Sequence, residues 1–251
     1  RLMSNYKPDS ELMRINAGAA ARPVRVSDPM WAVLAAAMRV SRASSGAFDV
    51  TVGPLVRLWG FHNKQPHVPT GEELRQVRSI VGYEHVVLDE AAHTVRFRRH
   101  GVELDLGGIA KGFGVELAGG VLRRRGYSGL IDAGGNQYLV GRPVRHQRWE
   151  VGIADPDTPT RILGTLEVDE GAVSTSGGYH NAFVSGGRTY GHLLDPRTLQ
   201  PGNAALSVTV VSPDATLADA LSKPAYLLGP AAGLRAVELF PGTMALIAYR
   251  G

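Results

Sequence analysis

Glu103-Leu104-Asp105-Leu106-Gly107-Gly108-Ile109-Ala110-Lys111-Gly112 is the stretch whose reading decides the fold. Val102–Leu106 alternates apolar and polar residues in the manner of a strand. From Ile109 to Arg125 the apolar residues recur at helical spacing, and Gly126 stops the run. Gly107 and Gly108 supply the turn between them. A helix that starts here leaves its first backbone N–H groups without partners, and such groups attract phosphate oxygens. Lys111 adds a positive charge one turn in. The Lys-Ser/Thr pair of a Walker loop is absent, and so is the Gly-x-Gly-x-x-Gly of a dinucleotide fold.

Upstream of this stretch, Ser27-Asp28-Pro29 is a helix cap followed by a first-turn proline, and it opens an alanine-rich helix over Met30–Ser44 that ends at Gly46. Val86–Leu88 and Val95–Phe97 flank a polar turn and predict a hairpin. Downstream, short β runs follow one another: Gln137–Val140, Trp149–Ile153, Thr165–Val168, Asn181–Val184 and Leu206–Val211. Asp214 caps a helix to about Leu228, with Pro224 expected to kink it or end its regular part. Gly229-Pro230 breaks the chain, then a helix (Ala231–Leu239) leads into a last strand (Met244–Tyr249). Helices and strands do not alternate strictly, which argues against a doubly wound parallel sheet. The pattern predicts an α+β fold with largely antiparallel sheets flanked by helices.

The length of 251 residues fits one large domain or two intimate ones, and a single domain over 1–251 is expected. The net charge of +4 is carried almost wholly by arginine, because lysine occurs only at 7, 64, 111 and 223. Arg123-Arg124-Arg125 closes a helix and matches its dipole. No aromatic platform or reading helix accompanies it, so nucleic acid is not the expected partner. The mild basicity suits a polyanionic small molecule. Without cysteine, disulfides, thiolate metal sites and cysteine nucleophiles are excluded. No apolar run reaches the ~18 residues of a membrane helix. The chain opens at Arg1 without an initiator methionine, so the natural N-terminus and its targeting segment are expected to be missing.

Other segments carry polar residues that a core would not need, and each has an ordinary reading beside the functional one. Tyr6, in Met3–Glu11, can wall a flat ligand or sit in a loop before a capped helix. Ala47-Phe48-Asp49 can approach a ring, with Asp49 accepting from a ring or sugar donor, or can form a helix C-cap over a buried Phe48. His192, ahead of an Asp-Pro turn, can be a general base or a turn residue. Asp219, Ser222 and Lys223 share one helix face. The carboxylate and hydroxyl suit Mg²⁺, and Asp219 with Lys223 equally suits a plain ion pair.

In this order, from Met3 to about Leu228, these segments resemble the ApbE-type FAD:protein FMN transferases. The resemblance is carried by Met3–Glu11, Ser45–Leu55, Leu58–Phe61, Asp105–Gly112 and Asp132–Asn136, and by Ser174–Tyr179, His192-Leu193-Leu194-Asp195-Pro196-Arg197-Thr198 and Ala218–Ser222. It implies an ApbE-like fold and an enzyme that moves the FMN half of FAD to a threonine or serine of an acceptor flavoprotein, releasing AMP with Mg²⁺. Tyr6, Ala47, Phe48, Asp49, Asp105, Lys111 and Leu193 match positions that surround FAD. The Gly108 carbonyl and Asp219 match magnesium ligands, with Ser222 and Lys223 beside them. His192 matches the proposed base, and Lys111 would share the charge of the diphosphate. The resemblance also implies acceptors that are subunits of membrane redox complexes, and an extracytoplasmic setting in which any contact with the membrane is through a lipid anchor. An FAD pyrophosphatase, a non-catalytic flavin-binding protein and an interaction module remain the alternatives. One departure bears on the chemistry: where the family has threonine after Ala-Asp-Ala-Leu-Ser, this chain has Lys223.

Overall fold

The computed structural model describes residues 2–178 and 181–250. In chain order the elements are α1 (Glu11–Gly18), β1 (Val24–Arg25), α2 (Asp28–Ala43), α3 (Gly53–Leu58), α4 (Gly71–Arg78), a 3₁₀ turn (Tyr83–His85), β2 (Val86–Asp89) and β3 (Thr94–Phe97). Then come α5 (Ala110–Arg124), β4 (Gly129–Asp132), β5 (Asn136–Val140), β6 (Trp149–Ala154), β7 (Ile162–Val168) and β8 (Gly171–Gly177). β9 (Ala182–Ser185), β10 (Arg188–Gly191), β11 (Leu194–Asp195), β12 (Gln200–Pro201), β13 (Ser207–Ser212), α6 (Ala215–Glu238) and β14 (Met244–Ala248) complete the chain.

These elements form two compact units. One comprises Arg1–Gly108 and Asn181–Gly202, the other Ile109–His180 and Asn203–Gly251.

In the first unit, β1, β3 and β2 form a small antiparallel sheet. Leu55, Trp59, Phe61, Val81, Leu194 and Leu199 make one buried cluster. The Trp59 indole N–H donates to the Leu199 carbonyl at 3.0 Å, so the 181–202 segment completes this core. Ser10, Ser27 and Thr70 cap α1, α2 and α4 through their side-chain oxygens, and Thr70 forms a full capping box with Glu73.

Val102–Leu106 is not a strand, apart from a single parallel bridge between Val52 and Glu103. Its alternation is real, since Val102, Leu104 and Leu106 are all buried. Its backbone partners lie elsewhere. The Asn16 amide holds both the N–H and the carbonyl of Leu104 (2.8 and 3.0 Å), and the Asp105 N–H donates to the Val50 carbonyl (2.7 Å).

The second unit is built on a five-stranded antiparallel sheet, ordered β14-β13-β8-β5-β4. Helix α6 packs on β8, β13 and β14, while α5 packs on β5, β4 and α6. Close packing explains two of the glycines in α5. A Cβ on Gly112 would lie 2.2 Å from the Ala215 carbonyl oxygen, and one on Gly119 would lie 2.0 Å from the Tyr138 ring. The break in α6 falls at Gly229 (φ 74°, ψ −175°), a conformation only glycine adopts readily. Pro224 lies inside the helix and does not end it.

Candidate active site

The first turn of α5 and the middle of α6 meet inside the second unit. Asp219 is fully buried, and its Oδ2 accepts the Gly112 N–H at 2.8 Å. Lys223, one turn further along α6, donates to the Asp219 Oδ1 and, at 2.9 Å, to the Asp219 carbonyl. The Lys223 side chain is 15% exposed. Burial pulls its ammonium below the usual lysine range. The charge of Asp219 opposes that pull, and the nearby Lys111 reinforces it.

Asn136, buried at the start of β5, joins the groups. Its partners set the amide orientation. The oxygen accepts from the Lys111 Nζ at 3.1 Å, and the nitrogen donates to the Ser174 Oγ at 2.7 Å and to the Asp219 Oδ1 at 3.1 Å. The hydroxyls of Ser176 and Ser222 pair at 2.8 Å, and Ser222 Oγ also donates to the Asp219 carbonyl at 2.7 Å.

The cluster therefore holds two ammonium groups and one carboxylate. Lys111 is exposed at the helix start and Lys223 lies within. The sequence-expected meeting of the glycine motif with the Asp219 face holds for the helical half of that motif. Asn136, Ser174 and Ser176 carry no assigned role in the sequence reading. The available signal was the asparagine at the strand start after Asp-Ala-Gly-Gly, where a solvent-facing turn does not need a buried amide.

The other sequence-singled residues lie in the first unit. Tyr6 is 70% exposed and stacks on His62, ring centroids 4.7 Å apart. Asp105 accepts from the Asn5 side-chain amide and from the Gly107 N–H, both at 2.7 Å, an Asx turn that shapes the approach to Gly108. Ala47 and Phe48 are buried.

Asp49 is buried too. Its Oδ1 accepts from the Thr51 N–H and hydroxyl at 2.7 Å each, and its Oδ2 accepts from the Tyr83 N–H at 2.6 Å. The Asp49 carboxylate thus ties the Thr51 and Tyr83 loops together. Desolvation raises its pKa to about 6 against the pull of these donors.

His192 follows β10, and its Nδ1 lies 3.2 Å from the Asn181 carbonyl. A carbonyl can only accept, so Nδ1 carries the hydrogen in the neutral ring and Nε2 keeps its lone pair, the form a general base needs. Leu193 is half-buried, and its carbonyl accepts from the Gly202 N–H at 2.8 Å. Arg197 grips Asp195 through Nε, Nη2 and its backbone N–H (2.9, 2.7 and 2.9 Å), which fixes the turn after the histidine. Tyr179 lies outside the described residues.

A family model described as "ApbE family" matches residues 1–247. The chain belongs to the ApbE family. An FAD:protein FMN transferase of Vibrio cholerae is 35% identical over 241 residues, 94% of this chain and 72% of that protein. An enzyme of the same name from Haemophilus influenzae is 34% identical, covering 94% and 71%. The crystal structure of the ApbE protein of Thermotoga maritima superposes with a TM-score of 0.90 at 33% identity, over 98% of this chain and 81% of that one. The flavin transferase ApbE of Vibrio cholerae gives 0.86 at 34%, over 98% and 79%. The α+β fold read from the sequence is therefore the ApbE fold, and the Lys111–Asn136–Asp219–Lys223 cluster is a polar centre built within it.

Proposed function

We propose that this chain is an FAD:protein FMN transferase, which moves the FMN half of FAD onto a threonine or serine hydroxyl of an acceptor protein and releases AMP. The observation that carries this reading is the surplus of positive charge at the start of α5, where the Lys111 and Lys223 ammonium groups gather with the single Asp219 carboxylate. Such a site favours a diphosphate.

The acceptor oxygen attacks the phosphorus attached to riboflavin. A new P–O bond forms, and the bond to the bridging oxygen breaks. That electron pair leaves with AMP, and the hydroxyl proton passes to the base. Phosphoryl transfer of this kind needs alignment and charge neutralisation more than covalent help. Lys111 and Lys223 supply the neutralisation, and the family resemblance assigns the role of base to His192.

Magnesium, which the family resemblance implies at Asp219, does not fit the residues here. Both Asp219 carboxylate oxygens are engaged, one by the Gly112 N–H and the other by Asn136 and the Lys223 ammonium. Among the described residues no three of His, Cys, Asp or Glu converge as a cation site. A divalent ion about 4 Å from an ammonium is repelled by roughly 8 kcal/mol at an effective dielectric of ~20. No step is therefore assigned to it.

The wider setting belongs to the same reading and rests on the resemblance: an acceptor subunit of a membrane redox complex, an extracytoplasmic location and attachment through a lipid anchor. No described helix is long and apolar enough to cross a membrane.

The test is incubation with FAD and a flavin-acceptor domain, followed by intact-mass measurement of the acceptor and chromatography of the nucleotide. Addition of one FMN to the acceptor with matching AMP is the expected result. Free FMN and AMP with an unmodified acceptor would make water the acceptor and overturn transferase in favour of pyrophosphatase.

A further inference from the structure

We propose that the Lys223 ammonium does in this chain what a divalent cation at Asp219 would do, so that FAD is gripped and cleaved without one. The inference rests on the flavin-transfer reading and deepens it. Helix α6 places Lys223 four residues after Asp219, on the same face and one turn away. The ammonium is tied both to the carboxylate and to the backbone carbonyl of Asp219, a two-point anchor that fixes its position.

The groups around it suit an ammonium and leave little for a metal. Ser222, the hydroxyl best placed for a hard cation, donates to the Asp219 carbonyl and pairs with Ser176. Asn136 presents its nitrogen to Asp219 and its oxygen to Lys111. A hard cation needs several oxygen ligands, whereas the Ser222 hydroxyl is engaged by the Asp219 carbonyl and Ser176, and the Asn136 oxygen by Lys111.

The charge count points the same way. Lys223, largely buried, and Lys111, exposed at the start of α5, outnumber Asp219, so the cluster carries one net positive charge. The doubly charged diphosphate of FAD is a ligand that such a surplus attracts. In the transfer step Lys223 would neutralise the oxygen that leaves with AMP. The bond made and the bond broken are those given above, and no further reactant is needed.

The experiment uses the full chain, stripped with EDTA, with FAD as the probe. FAD affinity is read from quenching of flavin fluorescence, bound metal from elemental mass spectrometry, and turnover from AMP release. Wild-type affinity and AMP release should be the same in EDTA and in excess MgCl₂, with no stoichiometric metal bound. Lys223→Thr should bind FAD about ten- to a hundredfold more weakly in EDTA, the loss of a charge-assisted contact, and Lys223→Arg should retain metal-free binding.

Wild-type affinity or AMP release that rises about tenfold or more with MgCl₂ would overturn the proposal. Stoichiometric bound metal, or a folded Lys223→Thr that binds FAD in EDTA as well as wild type, would do the same. The wild-type comparison needs no variant, so a misfolded substitution does not blunt the test. Acceptor flavinylation seen only with MgCl₂ would sink this inference and leave the transferase standing. Absence of FAD binding in either condition would sink both.

Discussion

Asp219 is a carboxylate with no exposure to water, which is tolerable only because three donors converge on it. Removing it strands Lys223 as a buried ammonium without its counter-charge. Breaking a buried pair this way costs about 3–5 kcal/mol, so Asp219→Ala should lose both FAD turnover and thermal stability. An unchanged melting temperature would show that Lys223 reaches solvent readily.

His192 lies outside that cluster of buried charges and should behave differently. His192→Ala should keep FAD affinity while transfer slows by about a hundred- to ten-thousandfold, the usual worth of a general base. Wild-type transfer kinetics in the variant would reduce His192 to a turn residue.

Asp49 gives a pH signature. Its pKa is raised to about 6 from 3.8, so the folded chain holds this proton more tightly than the unfolded chain does. Its contribution to stability is therefore greatest near pH 4, falls as the pH rises to about 6 and is flat above. The full swing is about 3 kcal/mol. In melting curves at pH 4.5 and 7, Asp49→Asn should lose the part of the pH dependence that Asp49 supplies. Equal slopes in variant and wild type would mean that Asp49 ionises normally.

At the scale of elements, the contact between α5 and α6 positions the chemistry, and it depends on Gly112. The missing side chain lets the first turn of α5 reach the Ala215 carbonyl and Asp219. Gly112→Ala should pry the helices apart, lengthen the bond from its N–H to Asp219, and weaken FAD binding with a stability loss of about 1–3 kcal/mol. Fluorescence titration with FAD and thermal melting together check this, and a variant unchanged in both would show that the helices can yield without cost.

Helices α2, α5 and α6, the β2–β3 hairpin and most strands were legible because their periodicity and caps are local, whereas the short α3 and α4 went unread although Thr70 forms a local capping box for α4. β8 was not, because Gly171-Ala172-Val173-Ser174-Thr175-Ser176-Gly177 reads as a polar glycine turn, yet it lies in the sheet between β13 and β5. Its small hydroxyl side chains suit burial against α6, where Ser176 meets Ser222, and only the tertiary structure supplies that partner. The Val102–Leu106 segment failed in the opposite direction. Its burial pattern is that of a strand, but the Asn16 side chain takes the hydrogen bonds of Leu104. Asp219 and Lys223 were legible as a helix face, whereas Asn136, 83 positions before Asp219 in sequence, could be joined to them only by the fold.

At the scale of the whole molecule, the chain leaves the second unit after β8 and returns to it before β13, lending Asn181–Gly202 to the first. The sequence shows no composition change at those crossings, which is why it reads as one domain. In the sheet, Gly177 and Ser207 are antiparallel partners, so the two ends of the excursion are adjacent and a short loop can join them. The excursion is not needed for the β8–β13 ladder, while the first unit takes Leu194 and Leu199 from it, together with the acceptor for the Trp59 indole. Replacing residues 179–205 with a short Gly-Ser loop should therefore leave the five-stranded sheet and α6 folded. The same change should open the core around Trp59. Loss of two large buried aliphatic side chains costs about 2–5 kcal/mol each, and the stranded indole N–H adds to it. Hydrogen exchange followed by mass spectrometry should show protection kept in β5, β8, β13 and α6 but lost across α3. Persistent protection of α3 would mean that the first unit's core does not depend on the lent segment, and collapse of both units would mean that the excursion also holds the sheet together.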